Sequence, residues 1–145
     1  MANQLYDAGR EGILDESITC KTGVLKWLAV RGYTPNLGAH KFVSDITGAG
    51  GTIVATSPAI ASKTFTAGVL NAGVATFSSV PLGPAITALV LIQSSAAGGG
   101  ADVAASAQRV IGFMDTGNSS SLPVTPNGGN ITVTPDTGAN HIFKL

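Results

Sequence analysis

Ala85–Gln93, AITALVLIQ, is the densest run of Ile, Leu and Val in the chain, with Gly83-Pro84 before it and Ser94-Ser95 after it. A short apolar run closed at both ends by turn residues reads as a strand buried on both faces. Ile86, Thr87, Val90 and Ile92 are β-branched and suit a pleated sheet better than a helix. At roughly 3.3 Å per residue the run crosses a small domain once. It is the expected centre of the fold.

Lighter strands are expected around it. Before the centre these are Val24–Val30 (VLKWLAV, with Lys26 at an edge), Thr52–Thr56, Lys63–Ala67 and Val74–Ser78. After it come Arg109–Met114, Asn130–Thr134 and His141–Leu145. Pro58, Gly68, Asn71, Gly73 and Pro81 punctuate the series. In ITVT, Ile131 and Val133 alternate with threonines, as in a half-buried strand. Trp27 reads as core filler. Many short strands after one leading helix predict a mainly-β, antiparallel sandwich or jelly roll in a single domain, 1–145.

The leading helix is expected over Asn3–Asp15. Asn3 would cap it, and Leu5, Gly9 and Ile13 would form its apolar stripe, with Tyr6 and Leu14 beside it. A glycine on that face would let the helix lie close against another backbone. Gly9 and Gly12 each cost about 1 kcal/mol relative to Ala, so the helix needs something to pack on. Its own sheet is one candidate. A partner subunit is the other, with Leu5, Tyr6, Arg10, Ile13 and Leu14 as contact residues, Tyr6 as an amphipathic anchor and Arg10 hydrogen-bonding across the interface. A second short helix is expected over Leu37–Ile46, capped by Asn36. Ser94–Gln108, SSAAGGGADVAASAQ, is low in complexity and reads as a flexible loop.

Composition narrows the function. Charged residues are 11% of the 145, against about 25% in an ordinary soluble domain, and 19 are Gly. A surface so poor in charge suits a protein that works assembled, with much of its exterior covered. Formal net charge is zero, no two of the eight Lys and Arg are adjacent, and nothing favours nucleic acid. Cys20 is the single cysteine, so no internal disulfide framework exists. No segment approaches the roughly 20 apolar residues needed to cross a bilayer, and the polar start lacks a signal-peptide core. The expected protein is made inside the cell and stays off membranes.

The most enzyme-like motif is a pair, Asp115-Thr116-Gly117 and Asp136-Thr137-Gly138. Asp-Thr-Gly marks aspartic proteases, whose two carboxylates share a proton because like charges so close cannot both ionise. Here the copies lie too near in sequence to come from two lobes. Thr134-Pro135 also leads into the second where a strand should run, and Asp-x-Gly is ordinary turn chemistry. His40 and His141 have no Cys or carboxylate at metal-ligand spacing. Cys20 lacks the local signature of a nucleophile and reads as an inert, buried thiol. Gly98–Gly100 lacks the Lys-Ser/Thr of a phosphate loop. The expectation is no catalytic residue, no metal, no cofactor and no small-molecule substrate. An aspartic-type hydrolase using the two motifs is the runner-up.

Two segments resemble a known group. The start, Met1-Ala2-Asn3-Gln4-Leu5-Tyr6-Asp7-Ala8-Gly9-Arg10-Glu11, resembles the opening of small virion proteins encoded near the capsid gene of tailed bacteriophages. The end resembles the same group, through Leu122-Pro123-Val124-Thr125-Pro126-Asn127-Gly128-Gly129-Asn130-Ile131-Thr132-Val133-Thr134, Gly138-Ala139-Asn140 and Ile142-Phe143-Lys144-Leu145. That group often has Trp after the ITVT strand, where this chain has Pro135. It also has a more acidic loop than Ser94–Gln108. The resemblance implies a capsid cement (decoration) protein of jelly-roll type, found in the virion on the outer capsid surface. Such proteins bind neighbouring major capsid proteins, commonly as homodimers. A tail or connector component would share the β-rich build.

Overall fold

The computed structural model describes residues 3–116 and 122–145. The chain is a mainly-β antiparallel sandwich with two short helices. Its principal layer has five strands: β1 (Gln4–Leu5), β2 (Leu25–Arg31), β3 (Thr52–Thr56), β7 (Ala88–Gln93) and β10 (Arg109–Met114), in the order β1-β10-β7-β2-β3. Between β3 and β7 come β4 (Thr64–Thr66), β5 (Val69–Asn71) and β6 (Ala75–Phe77); β11 (Ile131–Val133) and β12 (Phe143–Lys144) close the chain. They build a three-stranded sheet, β12-β5-β4, and a two-stranded one, β11-β6.

β7 is the centre of the principal layer, and all six of its residues are buried. Its alternation assigns each face. Leu89 and Leu91 join Trp27, Ala29 and Ile111 on the side where Leu70, Phe77, Val133 and Phe143 of the small sheets pack. Ala88, Val90 and Ile92 join Leu28, Val30 and Phe113 on the other side, under Tyr6, Tyr33, Val43 and Ile46. Each large apolar side chain so buried contributes about 1.5–3 kcal/mol. Gln93 ends the strand as a buried polar group that is fully served: its Oε1 accepts the Thr19 N–H at 2.8 Å and its Nε2 donates to Ser17 O at 3.1 Å. Trp27 is core, 2% exposed.

The helices depart from expectation. The leading segment is not one helix from Asn3. Gln4 and Leu5 pair with Phe113 and Gly112 as a short strand, and helix α1 runs Asp7–Leu14 with Tyr6 at its N-cap. Asn3 caps no helix: its Oδ1 accepts from the Asp115 and Thr116 N–H groups and its Nδ2 donates to Thr116 O at 2.8 Å, tying down the end of β10. The buried helix face is Ala8, Gly9 and Gly12, while Leu14 is 86% exposed. The helix sits so close to β10 that only the smallest side chains fit beneath it. The second helix, α2, is Val43–Gly48 rather than Leu37–Ile46. Asn36 starts a turn, its carbonyl accepting from Ala39 and His40 N–H. The helix begins later, where the Asp45 carboxylate accepts the N–H groups of Lys41 (2.7 Å) and Phe42 (2.9 Å).

Two further corrections concern the sheets. Lys26 is not on an edge strand, because β2 lies between β7 and β3; its ammonium pairs with Asp102 at 2.6 Å. Ser94–Gln108 is not an open loop. It contains a hairpin of β8 (Ser95–Ala96) and β9 (Gly99–Asp102), with Gly99 and Gly100 at φ +91° and +99°. Only glycine adopts such angles at little cost, which explains these two positions. The hairpin is tied back by the Thr19 and Thr22 hydroxyls, both donating to Ala97 O.

Candidate functional site

One wall of the site comes from the start of the chain. β1 and α1 place Gln4, Leu5, Arg10, Ile13 and Leu14 along one side of an open cleft of about 750 Å³. Trp27 and Leu89 of the principal layer, with Met114 at the end of β10, contribute apolar surface to it. The other wall comes from the end of the chain, through Val133–Asp136 and Asn140–Leu145. The segment after β11 reaches this position because Ile142 and Leu145 donate their N–H groups to Leu70 O and Gly68 O.

The five residues expected to meet a partner therefore divide. Leu5, Arg10, Ile13 and Leu14 all line the cleft. Leu5 is 8% exposed and Ile13 is half-buried against the chain's own core, whereas Leu14 stands at the rim. Tyr6 is elsewhere. It is fully buried on the opposite face, its hydroxyl 2.9 Å from that of Tyr33. A side chain closed off in this way is no interface anchor. The chain's own sheet is what the leading segment packs on.

Arg10 donates from Nη1 to Leu5 O at 3.1 Å and to Asp7 Oδ1 at 3.0 Å. The Arg10 side chain is half-exposed, so this ion pair adds little stability; its effect is to hold the guanidinium against the outer edge of β1. Across the cleft, His141 Nδ1 lies 2.8 Å from Asp136 O. A carbonyl oxygen only accepts, so Nδ1 donates its hydrogen here.

The two Asp-Thr-Gly copies occupy different surroundings. Asp136 lines the cleft, and Asp115 is not among its lining residues. The Asp115 N–H is bonded to Asn3 Oδ1 at 3.1 Å, and Gly117 lies outside the described residues. Gly138 packs over its own Asp136 carboxylate, as a turn does. Cys20 is half-buried, and burial pushes its thiol pKa up despite the field of Lys63. Among the described residues no group of three or more His, Cys, Asp or Glu comes together to hold a metal ion, and no helix is long and apolar enough to cross a membrane.

The C-terminal wall escaped the reading from spacing. Ile142, Phe143 and Lys144 were visible only as a strand, because nothing local says that a segment more than a hundred residues away lies beside Leu5. Comparison with protein-family models, curated proteins and solved structures found no match.

Proposed function

We propose that this chain is a structural, non-enzymatic virion protein that binds the outer surface of a phage capsid and cements neighbouring major capsid proteins. One observation carries the reading. The stretches that resemble the phage group, 1–11 near one end of the sequence and 122–134, 138–140 and 142–145 near the other, supply most of the lining of one cleft. Residues resembling those of related chains would be expected to gather where a shared partner is met. The exposed rim agrees with this: Leu14 and Leu145, 86% and 61% exposed, sit at the same cleft. Apolar side chains standing out beside a largely apolar groove suit a surface that is covered in the working assembly.

Physically, a cement protein adds contact area across joints between capsid subunits. A stable contact buries roughly 1,200–2,000 Å² in total, and binding only the assembled shell stabilises it by mass action. Mass spectrometry of purified virions tests the proposal. Hundreds of copies per particle are expected, with imaging placing them on the head. A handful of copies at the tail or neck would make the protein a tail or connector component. Absence from the particle would end the virion reading.

A further inference from the structure

Of the asparagines in the chain, Asn127 alone is followed by glycine. Asn127, Gly128 and Gly129 are all exposed in the loop that leads into β11. The Asn127 side chain folds back over this loop, its Oδ1 accepting the Gly129 N–H at 2.9 Å. That bond closes a ring through the Gly128 peptide, as in an Asx turn, and so sets the Gly128 nitrogen beside Asn127 Cγ. It also draws electron density from Cγ toward Oδ1, as an oxyanion donor does. Gly128 has φ +87°, and no heavy atom lies within 4 Å of where a Cβ would stand. Among the described residues its N–H meets no acceptor. Other asparagines lack this combination. Asn71 Oδ1 takes the N–H of Ala72 itself at 2.9 Å, and Asn3, Asn36, Asn130 and Asn140 precede Gln, Leu, Ile and His, whose side chains crowd the following nitrogen.

We propose that Asn127 is a site of spontaneous covalent modification, at which the chain's own backbone converts the side-chain amide to aspartate and isoaspartate. The Gly128 nitrogen loses its proton to solvent and bonds to Asn127 Cγ. The bond from Cγ to Nδ2 breaks, and Nδ2 takes up a proton and leaves as ammonia. Water then opens the resulting five-membered imide at either carbonyl, so the balance is one water consumed and one ammonia released. No oxidant or reductant takes part. Either product adds a negative charge to a chain whose formal net charge is zero. The aspartate keeps an acceptor for Gly129. The isoaspartate instead carries Cβ into the main chain and lengthens the loop beside two clasps, Val80 N–H to Gly129 O and Ser79 N–H to Asn130 Oδ1, both 2.9 Å. Old copies of the protein therefore differ from new ones in charge and in the join between β6 and β11. The capsid-cement reading is not needed for this.

Incubating the purified full chain in warm, mildly alkaline buffer tests the proposal, with peptide mapping by mass spectrometry. The Asn127 peptide should gain the mass difference between an amide and an acid and become a substrate for isoaspartyl methyltransferase, while the peptides of Asn3, Asn36, Asn71, Asn130 and Asn140 change at least about tenfold more slowly. Asn127→Gln, which cannot close a five-membered imide, should abolish the change at this peptide. A synthetic peptide spanning 123–133 sets the rate without the fold. Conversion in the folded chain should match or exceed it; a rate slower by about tenfold or more would show that the loop protects Asn127 and would overturn the site. The isoaspartate fraction, separated by ion exchange, should exchange its Val80 amide faster than the unmodified chain. Equal exchange overturns the altered join between β6 and β11.

Discussion

A Cβ added to Gly9 would lie 2.6 Å from the carbonyl oxygen of Ile111 and 3.0 Å from its Cα. The contact is backbone on both sides, so neither can swing away. Gly9→Ala would gain about 1 kcal/mol in helix propensity. Lifting α1 off β10 costs more, about 1–3 kcal/mol as in other overpacked sites. Urea unfolding should find the variant destabilised overall; a more stable variant would mean that α1 is free to shift.

The two tyrosine hydroxyls give a test at high pH. Burial, joined by the hydrogen bond with Tyr33, pushes the Tyr6 pKa far above its ordinary value near 10, and burial raises Tyr33 as well. The folded state therefore holds these protons more tightly than the unfolded chain does. That stability is fully present below about pH 10 and is lost as pH rises through and beyond it. Stability should hold from pH 8 to about 10 and fall above it, and Tyr6→Phe should flatten the fall. At neutral pH the same variant should lose about 1 kcal/mol with the hydroxyl's bond.

Asp45 works at the opposite end of the pH scale. Burial alone would raise its carboxyl, but the Phe42 and Lys41 N–H groups and the nearby His40 outweigh this and hold it below the ordinary range. Its stabilisation is present above about pH 4 and fades as pH falls through the depressed folded value. Asp45→Ala should cost about 0.5–2 kcal/mol at neutral pH, as loss of a helix-start acceptor does, and should weaken the acid dependence. An unchanged acid-unfolding midpoint would show that those two N–H groups find other partners.

Removing residues 1–15 tests where the leading segment belongs. Leu5 and Tyr6 are buried in the chain's own clusters, and Asn3 ties down the end of β10. The truncated chain should lose several kcal/mol or fail to fold, because the apolar surface beneath is uncovered. Leu14→Asp should behave otherwise. At 86% exposure it should alter stability by no more than about 0.5 kcal/mol while weakening capsid binding. A well-folded truncation would return the segment to the role of an interface arm.

The sheet was legible where side-chain chemistry acts locally. The bounds of Thr52–Thr56 and Arg109–Met114 match β3 and β10, and AITALVLIQ holds β7, because β-branched runs between turn residues leave few alternatives. The use of Gly9 for close approach was also readable, since an apolar stripe with a glycine in it has an evident steric purpose. Three features were not. β1 exists because β10 offers it a partner, and Gln4-Leu5 has no strand signal of its own. Asn36 looked like a helix cap, yet its carbonyl closes a turn, and the real acceptor is Asp45. Gly99 and Gly100 read as part of a flexible loop because their purpose, positive φ in a hairpin, is a property of the backbone. Half of the candidate site was legible for the same reason: Leu5, Arg10, Ile13 and Leu14 share a local segment, while the wall built from His141–Leu145 is set by long-range pairing.

The burial of β7 on both faces also orders events in time. Its partners are β2, which precedes it by some sixty residues, and β10, which follows it. During synthesis β7 emerges with β2 already available, but one edge stays open until Arg109–Met114 has left the ribosome. Over that interval the least charged stretch of the chain is an unprotected strand edge, the kind that pairs with neighbours of its own kind. Under the proposed cement role many copies would be needed at once, and the risk would grow with the rate of manufacture. Its yield should then depend on how quickly the stretch from Ser94 to Met114 is translated, more than on the stability of the finished fold.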